Sequence, residues 1–116
     1  MGMICSAWCT CGYESAHVEF GAGMADFKTH CSAPALCRNC RNVVSTEYFA
    51  SNHTCRSCGA SVTLYTDERG DSDYEYESGQ TWRIDDKRVL YLSYEGNPCP
   101  RCRDRNLTFL VTGAFD

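Results

Sequence analysis

The chain has 116 residues, ten of them cysteine, and a formal charge of −4 at pH 7. That length suits one small domain with a core thin enough to need a cross-link or a metal, and the acidic balance argues against a general nucleic-acid binder. No apolar run is long enough to cross a bilayer, and the start, MGMICSAWCTCGYE, has neither the basic nor the apolar region of a signal peptide, so a cytoplasmic protein with reduced thiols is expected rather than a disulfide scaffold.

Residues 1–13 carry Cys5, Cys9 and Cys11 and close on CGY. The next segment, ESAHVEF, alternates Ala16, Val18 and Phe20 with Ser15, His17 and Glu19, the period of a half-buried strand. Gly21 and Gly23 stop it. MADFKTH, residues 24–30, is the one place where a helical turn is expected. From Cys37 to Cys58 the run CRNCRNVVSTEYFASNHTCRSC holds two Cys-x-x-Cys pairs with fourteen residues between them, and the β-branched and aromatic VVSTEYF predicts extended chain there. SVTLYT then reads as a strand with Val62 and Leu64 on one face and Thr63 and Tyr65 on the other.

Residues 67–79 are acidic, with Asp67, Glu68, Asp71, Asp73, Glu75 and Glu77 against Arg69, and the mutual repulsion predicts a solvated loop. TWRI and KRVLYLSY bracket Asp85 and Asp86, which predicts a hairpin. The end, NPCPRCRDRNLTFLVTGAFD, is a third Cys-x-x-Cys followed by an apolar strand. The expected fold is a mainly β, metal-stapled single domain over 1–116, with two ribbon-like four-cysteine sites, β-hairpins and little helix.

A tetrahedral zinc with sulfur at about 2.3 Å needs sulfurs about 3.8 Å apart, and a tight turn with Cys at its first and fourth positions brings two thiolates that close. Four such knuckles supply eight ligands for two zinc ions: Cys9 with Cys11, Cys37 with Cys40, Cys55 with Cys58, and Cys99 with Cys102. Nested pairing is expected, a central ribbon over 37–66 and a second site in which 1–20 meets 97–116; serial and cross-braced pairings stay open. The first pair is irregular. Alternate residues of a strand lie about 6.6 Å apart, so Cys9 and Cys11 share a metal only if the chain bends, and Cys5 with Cys9 is the alternative.

Glycine after the second Cys of a knuckle eases the turn by accepting positive φ, and Gly12 and Gly59 stand there. Arg41 and Arg103 occupy the same place in the other two knuckles, a departure that implies strain or a different turn. With Arg38, Arg56, Arg101 and Arg105 they are read as solvated cations offsetting thiolate charge, a phosphate-binding face being the alternative. His17, His30 and His53 are read as surface or packing residues rather than ligands, and Cys31 as a buried or free thiol.

CRNC and CRSCG resemble the zinc-ribbon superfamily, with CPRC and CTCGY in partial support. More loosely, the whole chain is similar to small bacterial proteins of uncharacterised function with an early CGY knuckle, a central ribbon and CPxC before an aromatic-Asp terminus. That likeness implies two zincs and brings no activity with it. CTCGYE and PCPRC also resemble the two metal loops of rubredoxin, which hold one iron for electron transfer, but here the first loop is one residue short and the second lies far beyond the usual separation.

Four thiolates leave a metal no open position, so the expectation is a non-enzymatic module with structural zincs and a protein partner. An iron-thiolate electron carrier and a nucleic-acid-binding ribbon are the alternatives, iron being the less favoured metal.

Overall fold

The computed structural model describes residues 2–23, 29–70 and 78–115. These residues contain no α-helix and run through nine strands, β1 (Gly2–Cys9), β2 (Glu14–Phe20), β3 (Ser32–Cys37), β4 (Asn42–Glu47), β5 (Thr63–Leu64), β6 (Thr66–Gly70), β7 (Gly79–Arg83), β8 (Arg88–Ser93) and β9 (Leu107–Phe115). They form three antiparallel sheets of three strands each, in the orders β2-β1-β9, β4-β3-β5 and β6-β8-β7.

The first sheet joins the two ends of the chain. β1 lies between β2 and β9, pairing Trp8 with Thr108 and Cys9 with Leu107 at one end and Gly2 with Phe115 at the other. Its inward side chains, Cys5, Ala7 and Cys9, are small, and that leaves room for Phe20 and Phe109 from the flanking strands. The expected strand over ESAHVEF is β2. Val18 and Phe20 are buried as the alternation requires, whereas Ala16 is exposed, because the register slips between Cys5 and Ala7 and brings Ser15 rather than Ala16 opposite the buried Ala7.

The first sheet connects to the second through Gly21 and Ser32, which exchange two backbone hydrogen bonds of 2.8 Å. β3 is buried along its whole length although it contains Pro34. A proline cannot donate to a ladder. Tyr65 N–H donates to the Pro34 carbonyl at 3.0 Å, but no return bond is possible, so β5 pairs only with Ala35 and Leu36 and the chain turns away into β6. Tyr65 does not follow the alternation expected of SVTLYT. Sitting where the chain changes sheet, it turns into the core against Phe109, with ring centroids 5.0 Å apart, and its hydroxyl donates to the Pro98 carbonyl at 2.7 Å.

The third sheet contains the hairpin expected around Asp85 and Asp86. Asp85 Oδ1 accepts the N–H groups of Lys87 and Arg88, both at 2.9 Å, and closes the turn. The acidic segment differs from expectation at both ends: residues 67–70 lie in β6 and Gly79 opens β7. Charge pairing removes the repulsion that predicted a loop. Glu68 binds Arg88 at 2.9 Å and accepts from the Tyr48 hydroxyl, and Asp67 binds Arg69 at 2.9 Å. Residues 71–77 lie outside the described residues, as do 24–28, where the helical turn was expected.

All three sheets feed one core, in which Val18, Phe20, Leu107 and Phe109 meet Val43 from the second sheet and Trp82, Leu90 and Leu92 from the third. Cys5 and Cys31 are buried completely in it. Burial pushes the Cys5 thiol up to about 11 and Cys31 to about 12, so both are packing groups rather than nucleophiles.

Candidate metal centres

The eight expected sulfurs gather into two groups, Cys9, Cys11, Cys99 and Cys102 in one and Cys37, Cys40, Cys55 and Cys58 in the other. The arrangement is nested. Within each group all ligand atoms lie within 4.8 Å of one another. The cross-knuckle sulfurs are 3.7 Å apart for Cys9–Cys102 and for Cys11–Cys99, and 3.6 and 3.8 Å for Cys37–Cys58 and Cys40–Cys55. A metal at about 2.3 Å from four tetrahedral sulfurs requires about 3.8 Å between them, whereas a disulfide requires about 2.05 Å. The donor set therefore fits a four-thiolate metal ion, and all ten cysteines are free thiols.

The knuckles share one backbone design. Cys55 N–H donates to Ala60 and Cys99 N–H to Asp104, while Gly59 N–H and Arg103 N–H return to the carbonyls of Cys55 and Cys99. The first knuckle is the same turn with one residue removed: Cys9 N–H donates to Tyr13, and Gly12 N–H returns to Cys9 at 3.0 Å. The tighter turn supplies the bend that Cys9 and Cys11 needed. Cys5, the alternative ligand, stays in the core. Backbone amides also reach sulfur directly, Cys40 N–H to Cys37 Sγ at 3.3 Å and Arg101 N–H to Cys99 Sγ at 3.4 Å.

The residue after the second cysteine has positive φ in every knuckle: +100° at Gly12, +76° at Gly59, +53° at Arg41 and +69° at Arg103. All four turns thus end on a left-handed residue, the shortened first one included, and the two arginines bear strain that the glycines avoid, about 1–2 kcal/mol each for an L-residue in this region. Between the centres, Arg41 donates to the Arg101 carbonyl at 3.2 Å, and the Arg101 guanidinium lies 5.4 Å from the centre of the Tyr13 ring.

The environment readies some thiols for metal and loads protons on others. A hydrogen bond from the Asn39 side chain and one from the Ala60 amide bring Cys58 down to about 6. Chiefly the Tyr13 amide brings Cys11 down to about 7. Cys40, sharing protons with Cys58, Cys37 and Cys55, is pushed up to about 12. Four thiolates side by side repel, so without a cation the group retains protons; a bound dication displaces them.

The histidines lie away from the sulfurs. His53 Nε2 meets the Tyr48 carbonyl at 2.9 Å, and His17 sits 3.7 Å from Glu19 at the surface. His30 joins a polar clamp that sequence reading missed: its Nδ1 meets Glu47 Oε1, and its Nε2 lies 3.3 Å from the Ser32 hydroxyl. Serine, histidine and glutamate stand in the order of a hydrolase triad. Ser32, however, is 1% exposed, and its backbone is committed to Gly21, so no substrate reaches the hydroxyl. The clamp instead fastens β2, through Glu19, and β4, through Glu47, to the start of β3.

Compared with protein-family models, with curated proteins and with solved structures, the chain gives no match.

Proposed function

We propose that the chain is a non-enzymatic zinc-ribbon protein in which two structural zinc ions hold a small β domain together so that it presents a surface to another protein. The observation that carries this reading is the completeness of both sulfur groups. Each offers four thiolates at tetrahedral spacing, and a four-thiolate zinc has no position left for water or substrate. In small metal domains ion binding drives folding, with an apparent contribution of about 10–16 kcal/mol per structural zinc at neutral pH.

Charge and surface favour a protein partner. The chain is acidic before metal is counted, and each dication held by four thiolates leaves a further net negative charge. Trp8 and Leu110, 42% and 47% exposed, lie on the outer face of the β2-β1-β9 sheet, opposite Ala7 and Phe109. An exposed tryptophan beside an aliphatic residue is the kind of anchor that protein interfaces use. Free thiols suit a reducing compartment, and a cytoplasmic location goes with this reading.

Elemental analysis of the purified protein, followed by near-ultraviolet circular dichroism during chelation, tests the proposal. Two zincs per chain and loss of the native spectrum on stripping are expected. A red protein whose visible absorption bleaches on reduction would replace zinc by iron and the module by an electron carrier, and a native spectrum that survives metal removal would refute a structural role.

A further inference from the structure

A cleft of about 210 Å³ separates the two metal centres, lined by Leu36, Arg38 and Arg41 from the central site and by Cys99, Pro100 and Arg103 from the terminal one. Its arginines are available. Arg38 and Arg103 have no carboxylate partner among the described residues, and Arg41 makes a single bond, to the Arg101 carbonyl.

A second observation singles out the same side chains. All four knuckles require a left-handed residue after their second cysteine, and two use glycine. Room is not the reason, because a Cβ at Gly12 or Gly59 would meet no atom within 4 Å. The other two positions carry arginine at positive φ, and both arginines line this cleft. Backbone strain kept where glycine would relieve it, twice and around one cavity, points to a use for the side chains themselves.

We propose that the cleft binds a small phosphate-bearing anion, free or esterified, through the guanidinium groups of Arg38, Arg41 and Arg103. Guanidinium presents paired N–H donors that match phosphate oxygens and keeps its charge at any physiological pH. The cleft is smaller than the ~300–1,000 Å³ of sites that enclose a drug-sized ligand, so it takes the phosphate and leaves the rest of an ester outside. Arg38, Arg41, Arg101 and Arg103 match the four excess negative charges of two dications in four-thiolate sites. With no long-range positive field, a polyanion is not drawn in, and recognition rests on short-range hydrogen bonds. The inference goes beyond the structural role of the metals and depends on it only because both knuckles must be closed to bring the arginines together.

Calorimetric titration of the metal-loaded protein with inorganic phosphate, with AMP and with a short single-stranded DNA tests it. Phosphate or AMP should bind at one site per chain, the tighter of the two identifying the free ion or the ester. Arg103→Gly should weaken that binding by about tenfold or more, the loss of a charge-assisted contact, while metal content holds and Tm rises as the strained turn relaxes. Arg103→Lys, which keeps the charge and loses the fork, should fall between the two. Binding of DNA alone, absence of binding by either small anion, or affinity unchanged in Arg103→Gly would each overturn the assignment.

Discussion

Tyr13 and Val43 tie the two metal centres to each other. The phenol oxygen of Tyr13 accepts the Val43 N–H at 2.8 Å and donates its proton to Asn42 Oδ1. Tyr13 follows Cys11 of the terminal sulfur group by two residues, and Asn42 follows Cys40 of the central group by two, so one side chain binds the exit of one knuckle to the exit of the other. Both Tyr13 and Val43 are buried, which keeps water from replacing the bond. Tyr13→Phe should cost about 1–3 kcal/mol, the penalty for leaving a buried donor unpaired. Urea unfolding of the metal-loaded variant measures it, and wild-type stability would show that the link carries no load.

The nested arrangement makes the sites separable by mutation. Cys37→Ser should remove one metal equivalent and leave the terminal site loaded, and Cys99→Ser should do the reverse. Native mass spectrometry reads both. Loss of both ions from either single variant would contradict two self-contained groups of four sulfurs.

Two glycines with positive φ differ in their surroundings. A Cβ at Gly21 would lie 2.6 Å from Trp82 Cδ1 and 2.7 Å from Nε1, whereas one at Gly12 would meet nothing within 4 Å. Gly12→Ala should cost only the conformational penalty, about 1–3 kcal/mol. Gly21→Ala adds displacement of a buried indole and should be the more destabilising in thermal unfolding; equal effects would mean that the indole moves freely.

The clamp at His30 and Glu47 predicts a pH effect. Burial opposes ionisation of Glu47, but the N–H groups of Phe49 and Cys31, each at 3.0 Å, and the His30 ring outweigh it and hold the carboxyl below its usual range. A depressed folded-state value means stability that is complete above about pH 4.5 and is lost as pH falls through the lower, folded value. Glu47→Gln should therefore be less stable than wild type at neutral pH, and the gap should close as the solution is acidified past that lower value. A gap that stays constant with pH would remove the carboxylate from the explanation.

The central site was legible from residue spacing, because two Cys-x-x-Cys turns constrain sulfur geometry whatever surrounds them. The terminal group was legible in which four cysteines it gathers, though not in how a Cys-x-Cys pair reaches it, which lies in a turn shortened by one residue and closed by Tyr13. β1 and β3 escaped notice. SAPALC is built from small residues and a proline, and GMICSAWC turns only the small Cys5, Ala7 and Cys9 to the core, so neither shows an alternation of large apolar and polar residues, and they are strands because neighbours cover them. Tyr65 and residues 67–70 were misplaced for a related reason. Local alternation carries no information about where a chain leaves one sheet for another, and local charge none about partners such as Arg88, twenty residues from Glu68.

Ribosomal synthesis meets the two centres in a fixed order. Cys37 and Cys58 are 21 residues apart, so the inner centre is complete early in translation, whereas Cys9 must wait 93 residues for Cys102. A nascent chain halted in between would hold the inner four sulfurs complete, while Cys9 and Cys11 still lacked Cys99 and Cys102.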